Sequence, residues 1–167
     1  MKKFLKFSGL IALVLVAVSF ILMMATPALS VAGLVDTTYF GGTLGIFGGD
    51  INAMQAAYLG RTGAIPSALG LIAWILVLAS MLLLAAMFVL PLLKIKFLEK
   101  FAKIFNIALA AALVVAAIFM FCIVPSFFGA NGADVPSNTS IGAGWVIAGI
   151  FNILAACLCA LKLFAKK

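Results

Sequence analysis

Histidine is absent from this chain, which removes the side chain that most often serves as general base or metal ligand near neutral pH. Acids are almost as scarce. Asp36, Asp50, Glu99 and Asp134 are the only four in 167 residues, and no two share an apolar run in which burial could push their pKa values apart. No charged residue falls within the central part of a long apolar run, which argues against a proton relay or an ion-coupled antiporter built on a buried carboxylate. These shortages point away from an enzyme, and neither a cofactor nor a metal is expected.

Cysteine is also sparse and badly placed for redox chemistry. Cys122 lies toward one end of the third apolar run, and Cys157 and Cys159 lie in the later half of the fourth. None is in the connecting segments, where an oxidising compartment would favour a disulfide, and Cys157-Leu158-Cys159 is not the CxxC spacing of a redox pair. They read as small apolar packing residues.

Apolar residues are what the chain has in excess: 67% of it is hydrophobic and 9% charged, with mean hydropathy +1.37. A soluble domain of this size has no interior large enough for that surface, whereas a bilayer solvates it. The fold expected is an all-α membrane protein, a four-transmembrane-helix bundle forming one domain over 1–167. Spans are predicted at about 4–25, 67–93, 104–124 and 141–163, with outer loops 26–66 and 125–140 and a cytoplasmic loop 94–103. Pro66, Pro91 and Pro125 mark span ends. Trp145 is expected as an interfacial anchor. The first run could also be a cleavable signal peptide, since Lys2, Lys3 and Lys6 precede it and Ala28-Leu29-Ser30 follows. Its length exceeds the usual signal core, so a retained span is preferred.

Charge fixes the expected sidedness. Ten of the eleven basic residues flank the runs on one side: Lys2, Lys3, Lys6, Lys94, Lys96, Lys100, Lys103, Lys162, Lys166 and Lys167. The positive-inside bias makes that side the cytoplasm, with both termini there and the protein multi-pass in the cell membrane. The net charge of +7 is therefore topogenic. Its expected partner is the bilayer, including anionic headgroups, and not nucleic acid. Between the second and third spans, Lys96, Glu99, Lys100 and Lys103 recur at helical spacing, with Ile95, Phe97, Leu98 and Phe101 on the other side. That pattern predicts a short amphipathic helix at headgroup level, with Glu99 four residues before Lys103. Lys94, Lys96, Lys100 and Lys103 read more simply as a stop to translocation, and that simpler role is preferred to specific lipid binding.

The first outer loop has the most pattern of any segment outside the spans. Ser30 to Phe40 is rich in Val, Thr and aromatics and ends at Gly41-Gly42, which predicts a short β-hairpin. Phe40-Gly41-Gly42 and Phe47-Gly48-Gly49 form a near-repeat with neither phosphate-loop nor dinucleotide spacing. They read as tight turns packed close to the bundle. Asp50 is the expected cap of a short helix from Ile51 to Leu59 that Gly60 stops. Tyr39, Asp50, Tyr58 and Arg61 are the candidates for an outer binding surface. Asn138-Thr139-Ser140 matches a glycosylation sequon that matters only in a eukaryotic secretory route.

Within the spans, Gly144, Ala148, Asn152, Ala156 and Ala160 recur every four residues in the fourth, and Ala108, Ala112 and Ala116 do so in the third. Small residues let helices approach, and an intramembrane Asn seeks a partner worth about 0.6 to 2 kcal/mol. These stripes either pack spans three and four within one subunit, the preferred reading, or join subunits or line a pore. Asn106 is expected within reach of water.

Four spans with both ends inside, a longer first outer loop and a shorter second one resemble the claudin-type tetraspan layout over the whole chain. Where the claudin loop carries Trp, Gly-Leu-Trp and two Cys, this chain has Gly33-Leu34-Val35 and neither Trp nor Cys. The Lys-rich start, Gly-rich outer loop and Ala-rich later spans also resemble small uncharacterised four-span proteins of Gram-positive bacteria. The function expected is structural, assembly or accessory: a non-enzymatic membrane protein that associates laterally, as a homo-oligomer or with another membrane protein, and presents its first outer loop to a partner. The alternative is an oligomeric channel for ions or small solutes.

Overall fold

The computed structural model describes residues 2–34, 36–92 and 97–164, and the side chains of 2–6, 91–92, 97–100 and 164 lie outside that description. Four long helices dominate it: α1 (Lys2–Ala25), α4 (Ala68–Leu92), α5 (Phe97–Phe121) and α7 (Ala143–Phe164). Their apolar spans are Phe7–Ala25, Ala68–Leu90, Phe101–Phe121 and Ala143–Leu163, each about 28 Å or longer at 1.5 Å per residue and so able to cross a bilayer core. Large aliphatics such as Ile75, Leu82, Ile118 and Ile150 face outward. Helices apolar on every face need lipid as their solvent, and the chain is an integral membrane protein with a tetraspan layout.

α1 packs against α4 and α7, and α5 packs against the same two helices, so α1 and α5 lie across one diagonal of the bundle. The interior is filled. Ala12 and Val16 of α1, Ala73 and Val77 of α4, Leu109, Leu113 and Met120 of α5, and Ala148 and Ala155 of α7 are all buried there. Ala12, Val16 and Met23 make α1 part of this core, so loss of that helix would open it.

The remaining elements gather at one end as a cap. The first connection contributes β1 (Pro27–Ala32), β2 (Thr37–Gly41), α2 (Gly42–Phe47), β3 (Gly49–Asp50), α3 (Ala53–Leu59) and β4 (Gly63–Ala64); the second contributes α6 (Ile123–Ala130) and β5 (Thr139–Ile141). β1 is the centre of an antiparallel sheet in the order β2-β1-β5, and β3 pairs with β4. Register places Ser30 beside Tyr39 on one side and Ser140 on the other. The predicted hairpin is therefore present, joined by a third strand from the other connection.

Several details differ from expectation. Asp50 is held in the β3–β4 ribbon opposite Gly63, so the cap of α3 falls to Asn52. Its side chain accepts from the Gln55 N–H at 2.9 Å while the Gln55 side chain accepts from the Asn52 N–H at 3.0 Å, a reciprocal capping box. Gly60 closes the helix with φ +64°, as its position predicts. Gly42 opens α2 where a turn was expected, because its backbone lies directly against the Met23 carbonyl and no Cβ would fit. The third long helix stops at Phe121, and Pro125 sits in the first turn of α6, where its missing N–H costs little.

The amphipathic segment before the third span is continuous with it from Phe97, not a separate helix. Lys94 and Lys96 lie outside the described residues, as does the Lys100 side chain. Trp145 is fully buried and donates its indole N–H to the Met23 carbonyl at 3.2 Å. It is a core residue, turned into the bundle interior against the end of α1.

Candidate binding surface on the cap

The cap has a core of its own. Alternation along the strands turns Leu29, Val31 and Phe40 inward, onto Phe127 and Phe128 of α6 and Leu59 of α3. The three Phe rings meet edge to face, with centroids 5.4 Å apart for Phe40–Phe127, 6.0 Å for Phe40–Phe128 and 5.9 Å for Phe127–Phe128. Such aromatic pairs add about 0.5–1.5 kcal/mol beyond their area burial.

Asn131 locks the two connections together. Its Oδ1 accepts from the Ile65 N–H at 2.7 Å, and its Nδ2 donates to the Ile65 carbonyl at 3.0 Å and the Phe127 carbonyl at 2.8 Å. A second tie is the Ser67–Ser126 hydroxyl pair at 2.7 Å. Sequence reasoning passed over Asn131. The available signal was local, an Asn-Gly pair at a helix end, with Gly132 at φ +66°; the partner at Ile65 is distant in sequence.

Outward, the sheet shows a different chemistry. Ser140, Ser30 and Tyr39 stand in a row across β5, β1 and β2, the two serine hydroxyls 2.9 Å apart. Tyr39 is 59% exposed, and its carbonyl accepts from Gln55 Nε2 at 2.7 Å, which pins α3 against the free side of β2. Beside the row runs a cleft of about 500 Å³ lined by Thr26, Pro27, Ser30, Tyr39, Ser140 and Gly142 to Gly144. It offers hydroxyls, an aromatic ring and the backbone of Gly142 to Gly144, which suits binding through shape and neutral hydrogen bonds.

The predicted outer candidates do not converge on this cleft. Tyr39 lines it. Tyr58 is half-buried against the cap core, while Asp50 and Arg61 are exposed near the β3–β4 ribbon.

The small-residue stripe of α7 faces inward, but it does not form one seam. Gly144 lies against Thr26 at the end of α1, and the Ala148 carbonyl accepts from Ser19 of α1 at 3.2 Å. Asn152, fully buried, instead points its Nδ2 at Met120 Sδ of α5, 3.4 Å away, and leaves Oδ1 without a partner. Ala156 is buried and Ala160 half-buried. On α5, Ala116 is buried, Ala112 half-buried and Ala108 exposed. Asn106 is buried, contrary to the expectation of water contact. Its amide donates back to the Ala102 carbonyl at 2.7 Å and its Oδ1 is unpaired. Lys103 is exposed at the opposite end of the bundle from the cap.

All three cysteines are free thiols, Cys122 and Cys157 exposed and Cys159 buried. Comparison with family models, with curated proteins and with solved structures finds no match, so the functional argument rests on the geometry of cap and bundle.

Proposed function

We propose that this chain is a non-enzymatic component of the cell membrane, with both termini in the cytoplasm, that associates laterally and presents its cap to a partner protein or a second copy. The observation that carries this reading is the cap itself. Two connections far apart in sequence fold into one unit with an aromatic core and an Asn131 lock, and that unit holds Ser30, Ser140 and Tyr39 outward on a rigid sheet. Loops that only join spans need none of this organisation.

The bundle supports the same reading. Its centre is occupied by side chains, and Asn152 faces α5 within the subunit, which favours packing inside one subunit as the role of that amide.

Site-specific photo-crosslinking from position 39 in intact membranes tests the proposal. It predicts one discrete adduct, lost when Ser30 and Ser140 are both replaced by Leu, whereas a crosslinker at outward-facing Ile75 gives none of that adduct. Crosslinking to lipid alone, together with steady conductance across reconstituted bilayers, would contradict it.

A further inference from the structure

Lys162 occupies the last turn of α7, at the end of the bundle away from the cap. Its side chain does not run straight out. It is half-buried, and its ammonium lies directly over Gly9 of α1, so that a Cβ at Gly9 would collide with Nζ. Neighbouring Ser8 and Cys159 are buried on either side. The lysine stem therefore follows an apolar groove between α1 and α7, and the absence of a side chain at Gly9 makes room for the charged head.

Among the described residues that head has no acidic partner: no carboxylate acts on Lys162, and Asp36, Asp50 and Asp134 all belong to the connections that form the cap, while the Glu99 side chain and residues 165–167 lie outside the description. The carbonyls at the α7 C-terminus offset part of the cost of holding an ammonium away from water, but a desolvated cation is satisfied fully only by an anion. The apolar span of α7 ends at Leu163 and that of α1 begins at Phe7, so the groove opens where two apolar spans end, next to the headgroup region.

We propose that Gly9 and Lys162 form a seat for one phosphate group, supplied by an anionic phospholipid whose acyl chains lie along the apolar exterior of α1 and α7. Soluble phosphate shares the recognised chemistry, but the position of the seat at the ends of two membrane spans favours the lipid. This seat is separate from the cap and does not depend on the function assigned to it.

The full-length protein in nanodiscs of mixed phosphatidylcholine and phosphatidylglycerol, analysed by native mass spectrometry, provides the test. The wild type is expected to retain one phosphatidylglycerol after weaker lipids are stripped. Lys162→Gln lowers that occupancy roughly fivefold, Lys162→Arg preserves it, and Gly9→Ala lowers it by a smaller factor because the new methyl displaces the ammonium. Lys103→Gln, on an exposed lysine of α5, leaves it unchanged. Equal losses in Lys103→Gln and Lys162→Gln would reduce the effect to general surface attraction and overturn the proposal, as would an unchanged Lys162→Gln or a folded Lys162→Arg that binds no lipid. Displacement of the retained lipid by inorganic phosphate, but not by chloride at equal ionic strength, would assign the seat to a soluble anion and overturn the lipid assignment.

Discussion

Between the helices of the bundle, contact is made largely by alanine, glycine and aliphatic side chains, and polar contacts between helices, such as Ser19 to Ala148, Trp145 to Met23 and Asn152 to Met120, are isolated from one another. The cap spends its polar groups in pairs and triples, through a three-stranded sheet, a reciprocal capping box and the threefold bonding of Asn131. The contrast follows from the solvents the two regions meet. In lipid, burying an alkyl group against another helix gains little over leaving it in acyl chains, so close approach and dispersion decide the packing. At the membrane surface, exposed backbone competes with water and must be tied in by sheets, caps and side-chain amides.

Glycine is where the two regions meet, and the largest effect is expected there. A Cβ at Gly42 would drive into the Met23 carbonyl, and one at Gly142 into the Pro27 carbonyl, where only backbone could move. Gly142→Val should cost more than about 4 kcal/mol and abolish a monodisperse folded species in detergent; a variant with an unchanged melting temperature would sever the proposed joint between cap and bundle. Next comes the cap core. Phe127→Ala should cost about 3–5 kcal/mol and speed amide exchange in β1 and β2 while leaving that of α1 and α7 protected. Uniform loss of protection across both regions would show that cap and bundle unfold as one unit.

Asn131→Ala should cost about 1–3 kcal/mol, seen as faster exchange at the Ile65 amide with the long helices unaffected. The smallest effect is expected at the bundle's own amide. Asn152 has a sulfur for its only partner and an unpaired carbonyl oxygen, so Asn152→Leu should change thermal stability by less than about 1 kcal/mol. A loss as large as that of Phe127→Ala would mean that Asn152 does more than fill space between α5 and α7.

The long helices were legible because lipid demands long apolar runs of a fixed minimum length, and the flanking lysines sharpened their limits. Gly60 was legible as a helix stop for an equally local reason. The faces of the helices were less so. Successive steps of four residues overshoot a 3.6-residue turn by about 40°, so the alanine stripe of α5 rotates from buried Ala116 to exposed Ala108, and that of α7 turns from α1 at Gly144 toward α5 at Asn152. The features least visible in sequence depend on which connections meet. β5 completes a sheet begun about a hundred residues earlier, Asn131 finds Ile65, and Trp145 turns inward to the Met23 carbonyl of α1. Asp50 looked like a cap until its pairing with Gly63 left that role to Asn52.

A filled bundle carrying a cap whose outward sheet face makes the functional contact is open to single-particle imaging of the purified protein in lipid nanodiscs. Copies with side-chain-filled centres are expected, meeting one another or a partner through the face bearing Ser30, Tyr39 and Ser140. A closed ring of subunits around a water-filled centre, with the caps splayed outward and free of contact, would contradict it.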